Sequence, residues 1–170
     1  MRPDWLKTAA DTIRRNDHRD ILAGAVAGAG AALAIGVMEW FSVASHFPLF
    51  VIPFATSIVL VIGSPEAEPA QPRALVGGHV VATLAGIIVL HLAGPQAWAA
   101  AAAVGLAVLA MVVTGTFHPP AGINPLLVVS NGLSWSFLFV PVLAGALLLM
   151  AFAFVWHRFV RRRPWPQRWV

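Results

Sequence analysis

Long apolar runs, separated by short polar or proline-rich connections, dominate the chain. Four of them contain about 20 residues or more, the length that an α-helix needs to cross about 30 Å of hydrocarbon. They cover residues 21–46, 73–93, 97–116 and 133–156. The pattern predicts an all-α fold, a polytopic helical membrane protein with four full spans.

Two further apolar segments are too short to span as regular helices. At about 1.5 Å per residue, 48–63 gives a helix of about 24 Å and 121–131 one of about 16 Å. Each begins beside prolines and ends at a glycine-containing turn. We therefore expect two short or re-entrant helices buried among their neighbours, with crossing as short spans left open.

The order of these elements occurs twice. Residues 21–92 give a long helix, the break His46-Phe47-Pro48, a short segment and a long helix, and residues 97–157 repeat this order around His118-Pro119-Pro120. The pattern indicates an internal two-fold repeat, and transporters built from such duplications bind substrate where the broken segments meet. Chance similarity between apolar helices is the alternative.

Composition and charge support a membrane domain with polar ends. Of all residues, 59% are hydrophobic and 11% charged, against roughly 45–50% and 25% in soluble domains. Residues 1–20 form a predicted amphipathic surface helix, 21–157 the transmembrane domain and 158–170 a basic cytoplasmic tail. One face of the surface helix combines four apolar residues, with Asp4 as the N-cap: Trp5, Leu6, Ala9 and Ile13.

The positions of the basic residues predict topology and partners. Basic residues at both ends indicate a bacterial-type inner (plasma) membrane protein with both termini in the cytoplasm, which requires an even number of crossings. Four and six crossings both satisfy this rule, and Arg73 favours six because its loop then also lies inside. The C-terminal arginines indicate contact with anionic lipid headgroups rather than nucleic acid.

Phe117-His118-Pro119-Pro120-Ala121-Gly122 is the strongest local chemical signal. The two prolines cannot continue the preceding helix, and they push His118 out of the α region. The helix that follows directs free N–H groups and its positive dipole end at the break, which favours an anion. His118 can donate to that anion or carry a proton. The alternative is that His118 only binds a carbonyl at a kink.

A second cluster runs from Gly63 through Gln71 and Arg73 to His79. Arg73 can hold an anion with Gln71, pair with a nearby glutamate, or extend to lipid headgroups. His79 is a polar residue inside an apolar helix and is therefore a functional candidate. Other candidates are weaker, because each can instead bond backbone groups or lie near the interface: Glu39 as a proton carrier, and Thr56, Ser57 and Asn124 along a path.

Other classes of chemistry find no support in the sequence. Cysteine is absent, the six histidines are scattered without ligand spacing, and no nucleophile–base motif or nucleotide fingerprint is present. We expect no metal, no cofactor and no enzymatic activity. Small residues such as Gly24 and Gly28 favour tight helix packing, and a chain of this size is expected to form a homo-oligomer.

Three stretches together resemble the HPP family of integral membrane proteins. They are Phe54-Ala55-Thr56-Ser57 with its apolar run, the stretch from Pro65 through Ala70-Gln71-Pro72-Arg73 to Gly77-Gly78-His79, and Thr114 through His118-Pro119-Pro120-Ala121-Gly122. The resemblance implies a compact four-span fold and, from members in cyanobacteria and plastids, nitrite transport. It implies His118, Arg73, His79 and Gln71 as site residues. Asn124 stands where the resemblance leads us to expect small residues and a threonine.

The function predicted is a transmembrane transporter or channel for a small inorganic anion, with nitrite first. Arg73 and the starts of the short helices supply positive potential, while His118 and His79 act as donors or proton carriers. The alternative is a non-transporting membrane sensor or assembly subunit.

Overall fold

The computed structural model describes residues 18–46 and 51–169, and all regular structure in these ranges is helical. The predicted surface helix falls mainly outside them, as do Phe47 and Pro48 of the first predicted break. Six helices follow one another: α1 (His18–Ser45), α2 (Ala55–Gly63), α3 (Pro72–Ala93), α4 (Ala97–Val113), α5 (Ile123–Asn131) and α6 (Trp135–Val160).

The lengths of these helices follow the apolar runs. Among the described residues, α1, α3 and α6 are long and apolar enough to cross a membrane. The predicted span 97–116 forms a helix of 17 residues, about 25 Å long. It ends at Val113 because Gly115, with φ 64°, turns the chain out of the helix. The number of full spans therefore stays a prediction.

The two short segments form helices of equal length. Both α2 and α5 contain nine residues. Each follows a 3-10 turn that contains proline, Ile52–Phe54 before α2 and Pro119–Gly122 before α5. The predicted internal repeat stays a prediction, but its two short segments share this local form.

Helix α6 is continuous although Pro141 lies inside it. Proline cannot donate to a preceding carbonyl, and its ring crowds the turn before it. The segment Leu138–Ala144 widens into a π-helix around Pro141, a local change that relieves such crowding. The helix then runs on to Val160, into the residues that we predicted as tail.

Several helix ends meet at one end of the bundle, which we call the basic end. Here the last turn of α6 binds the end of α2: the His157 side chain donates from Nε2 to the Val61 carbonyl at 3.0 Å. The start of α3 lies at the same end, because the residue before it, Gln71, binds the tail that follows α6. Arg73 links this end to the segment after α4 by donating to the Thr114 carbonyl.

The residues after Val160 fold back against the basic end. Trp165 is only 3% exposed and joins the core formed by α1, α2, α6 and the start of α3. The side-chain oxygen of Gln71 accepts hydrogen bonds from the backbone N–H groups of Gln167 at 2.9 Å and Arg168 at 3.4 Å. The basic segment is thus attached to the bundle through Trp165 and the backbone of Gln167 and Arg168, while most of its side chains are exposed.

Candidate functional site

Two histidines meet at one serine inside the bundle. The Ser57 Oγ atom lies 2.9 Å from Nε2 of His79 and 2.9 Å from Nε2 of His118. All three side chains are fully buried. They come from α2, from α3 and from the segment between α4 and α5, so the contact exists only when these three parts are packed together.

The direction of these hydrogen bonds follows from one carbonyl group. The Pro69 carbonyl lies 2.7 Å from Nδ1 of His118 and can only accept, so a neutral His118 carries its proton on Nδ1. Its Nε2 must then accept from the Ser57 hydroxyl. Having given its one hydrogen to His118, Ser57 accepts from His79, which carries its proton on Nε2.

Asn124 completes the arrangement on the other side of His79. Its Nδ2 group lies 3.0 Å from Nδ1 of His79 and 2.9 Å from Oγ1 of Thr83. Thr83 in turn donates to the His79 carbonyl at 2.7 Å. Thr83 is not among the site residues predicted from the sequence, although its position four residues after His79 puts both on one helix face. A line of hydrogen-bonded groups thus runs from Asn124 through His79, Ser57 and His118 to the Pro69 carbonyl. We call this line of groups the polar chain.

Both short helices begin beside His79. The ring of Phe54, at the start of α2, lies 4.5 Å from the ring of His79 between centroids, and Asn124 is the second residue of α5. From there α2 runs to the basic end, whereas α5 runs to the opposite end, where Val129 packs on the first turns of α4. The starts of two oppositely directed short helices therefore meet at the polar chain.

Two prolines and a glycine shape the backbone where the segment before α5 passes α3. His118 has φ −131° and ψ 92°, the extended conformation that a following proline imposes. Pro119 is exposed and Pro120 partly buried, and both serve to start the 3-10 turn. Across from them, Gly78 offers no side chain, so the backbone of Thr116 and His118 passes directly against α3.

Gln71 and Arg73 lie at the basic end, apart from the histidine contacts. Gln71 is buried and donates to the carbonyls of Pro65 and Ala67, while its oxygen binds the tail. Arg73 is exposed, with Nη2 2.9 Å from the Thr114 carbonyl. A cavity of about 210 Å³ opens here, which we call the arginine cavity, and its lining is Glu68, Gln71, Arg73, Ala74, Gly115 and Arg168.

The remaining predicted site residues lie elsewhere. Thr56 is exposed on the side of α2 away from Ser57, because successive residues of a helix point about 100° apart. Glu39 is exposed on α1 and lines a separate hollow with Ser42, Val43 and His46. Neither joins the polar chain. Within the described residues, no group of three or more His, Cys, Asp or Glu side chains is suited to hold a metal ion.

Apolar helices of membrane-spanning length around a buried polar chain define an integral membrane protein with an internal polar site. The chain belongs to the HPP family, since the profile of the HPP transmembrane region matches residues 15–166. This bears out the resemblance seen in the motifs. No solved structure matches the chain.

Two curated relatives come from Dictyostelium discoideum, and both are described as transmembrane proteins. One is 40% identical over 124 residues, which are 68% of this chain and 40% of the relative. The other is 34% identical over 124 residues, which are 68% of this chain and 44% of the relative. The matched part thus spans less than half the length of each relative.

Proposed function

We propose that this HPP-family protein moves a small inorganic anion across a membrane, with nitrite as the first candidate. The observation that carries the proposal is the meeting of the starts of α2 and α5 at the buried polar chain. Helix starts carry partial positive charge and unpaired N–H groups. Two of them directed at one interior point favour an anion there, as in transporters with broken helices.

The polar chain itself also favours a function. Polar side chains inside a membrane bundle are costly to bury and are retained where they serve a site. His79 and His118 are fully buried, yet purely apolar packing would hold these helices together without them. The histidines bring hydrogen-bond donors, which an anion needs, to the point where the two short helices start.

The arginine cavity provides a place for the anion to arrive. Arg73 and Arg168 line it together, and their guanidinium groups attract anions at the surface. Glu68 and Gln71 of its lining flank the segment that carries Pro69, whose carbonyl binds His118. The segment whose carbonyl binds His118 therefore lies between two residues that line the cavity.

The kind of membrane, the orientation of the protein in it and its oligomeric state are parts of the same proposal. The basic end, with Arg73, Arg161 and Arg168, faces the cytoplasm of a bacterial-type inner membrane under the positive-inside rule, with both termini on that side. The most apolar part of α1 is only 17% buried within the chain. Lipids and a second copy of the chain are the partners that can cover it, which agrees with a homo-oligomer.

The test is nitrite uptake by proteoliposomes that contain the full chain, compared with protein-free vesicles. We expect uptake, and we expect His118→Ala to reduce it while the variant stays folded and monodisperse in detergent. Absence of uptake at several pH values with folded protein contradicts the proposal. That result favours the alternative, a non-transporting sensor or assembly subunit, for which the sealed burial of both histidines is the supporting observation.

A further inference from the structure

We propose that His79, Ser57 and His118 form a proton relay that couples anion movement to proton movement. The inference rests on the function proposed above and deepens it. Its basis is the single direction of the polar chain: His79 donates to Ser57, Ser57 donates to His118, and His118 donates to the Pro69 carbonyl. Each of the three side chains both accepts and donates.

A chain of this kind moves a proton without any atom travelling its full length. A proton added to Nδ1 of His79 lets the Nε2 proton of that ring pass to Ser57 Oγ. The Ser57 hydroxyl proton passes to Nε2 of His118, and the Nδ1 proton of His118 leaves. One proton enters and one leaves, and the three groups stay neutral overall. Both rings end in their other tautomer, so the starting direction returns only after each ring exchanges its proton between Nδ1 and Nε2 and the hydroxyl turns back toward His118.

The two ends of the relay are closed in the structure. Asn124 covers Nδ1 of His79, and the Pro69 carbonyl covers Nδ1 of His118. Asn124 belongs to the helix that runs to the end opposite the basic end. Pro69 belongs to the loop beside the arginine cavity. The relay thus connects the two halves of the bundle, and a proton passes only when these end groups are displaced.

Displacement of Pro69 links the proton to the anion. An anion that crosses toward the basic end and takes the place of the Pro69 carbonyl accepts the Nδ1–H of His118 and leaves with that proton, so the anion and the proton cross in the same direction without net charge. This requires the conjugate base of a weak acid, such as nitrite or formate. Nitrate has the same charge but is the conjugate base of a strong acid, so it cannot take the proton away.

The surroundings of the relay contain few charges. On the elements packed around it, α2 and α5 contribute only neutral side chains to the contacts, and α3 contributes Thr83 besides His79. Among the described residues, the charged groups on the neighbouring segments are Arg73 of α3 and Glu66 and Glu68 of the segment that carries Pro69. Arg73 and Glu68 line the arginine cavity. The two histidines are therefore the titratable groups that hold the proton in transit.

Ser57 is the group that distinguishes a relay from a structural contact. It alone bridges the two rings among the described residues. Ser57→Ala removes the bridge and leaves both rings in place, while Ser57→Thr keeps the hydroxyl. Ser130→Ala is the matched control, because Ser130 is exposed on α5 and outside the polar chain.

The experiment measures nitrite uptake and internal pH together in proteoliposomes, with an imposed membrane potential and with protein-free vesicles subtracted. We expect proton uptake with nitrite, an uptake rate that does not depend on the potential, and no uptake of nitrate. Ser57→Ala should lower proton-coupled uptake by about tenfold or more. Ser130→Ala should retain it, and Ser57→Thr, which keeps the hydroxyl, should retain more coupled uptake than Ser57→Ala.

The outcomes separate the two proposals. Nitrite uptake that is driven by the potential and carries no proton overturns the relay and leaves anion transport standing. Full coupling in folded Ser57→Ala also overturns the relay. If Ser57→Ala does not fold, the potential dependence and the nitrite–nitrate comparison of the unchanged protein decide. Absence of nitrite uptake altogether overturns the proposed function, and the relay with it.

Discussion

The Cβ atom that Gly78 lacks would lie 2.6 Å from Cβ of His118 and 2.7 Å from the Thr116 carbonyl oxygen. Gly78 therefore lets the backbone before the two prolines cross α3 at van der Waals contact. His118 reaches Ser57 only because of this close approach, which fixes the position of the Cβ atom from which the His118 ring extends. The position of the polar chain depends on a residue that takes no part in it.

Gly78→Ala should destabilise the protein and displace His118. The added methyl group meets backbone, which cannot move aside as a flexible side chain would, so we expect a loss of about 1–3 kcal/mol, the usual cost of overpacking. Thermal unfolding in detergent measures it. Gly105→Ala is the control, because a Cβ at this exposed position on α4 meets nothing within 4 Å. Equal stability of the two variants would show that a methyl group at residue 78 fits between α3 and the segment before the two prolines.

The two histidines of the polar chain should carry their protons on different nitrogens. His118 donates from Nδ1 to the Pro69 carbonyl, and His79 donates from Nε2 to Ser57. Nitrogen NMR of protein labelled at histidine should find one ring of each tautomer, assigned with His79→Gln and His118→Gln variants. Two rings with the same tautomer contradict the direction of the chain and remove the basis of the relay.

Asn124 should hold the tautomer of His79. Its Nδ2 group donates to Nδ1 of His79 and to Thr83, and Asn124→Ala leaves both acceptors without this donor. The loss of a partner for buried polar groups costs about 1–3 kcal/mol. We expect lower stability and a changed NMR signal for His79, with His118 much less affected. An unchanged His79 signal means that Asn124 only fills space.

Gln71 should fasten the tail to the basic end. Its oxygen accepts from the backbone N–H groups of Gln167 and Arg168. In Gln71→Ala these amides lose their acceptor, and hydrogen exchange there should accelerate by about tenfold, the equivalent of about 1.4 kcal/mol. Gln96→Ala is the control, since Gln96 is exposed and makes no side-chain cap. Unchanged exchange in Gln71→Ala means that other contacts anchor the tail, such as Trp165 in the core and Arg161 on the Ile62 carbonyl.

The sequence carried most of the information on the helices and less on the site. Apolar run lengths predicted α1, α3 and α6, and the prolines predicted the extended backbone at His118. The Ser57 bridge was not predictable, because Ser57 lies 22 residues from His79 and 61 from His118, and no local pattern specifies which helices pack together. The separation of Arg73 from the histidines was not predictable for the same reason. Residues that are close in sequence can differ in how deeply their side chains are buried in the bundle.

Arg73 should act on the anion through the surface potential rather than through contact with the relay. Its side chain is exposed, lines the arginine cavity and, among the described residues, donates to the Thr114 carbonyl. Attraction by an exposed charge weakens as the Debye length shrinks from about 10 Å at 0.1 M salt to about 3 Å at 1 M. Arg73→Gln should therefore lower nitrite uptake several-fold at low salt, with a smaller difference at high salt.

The matched control for Arg73 is Arg158→Gln, because Arg158 is exposed near the same end of the bundle but is not among the residues that line the arginine cavity. Removal of one positive charge there should change uptake little at either salt concentration. A loss in Arg73→Gln that stays equally large at high salt points instead to the hydrogen bond with Thr114. In that case Arg73 acts by holding the segment before His118, and Arg73→Lys, which keeps the charge but loses the guanidinium geometry, should be as defective as Arg73→Gln.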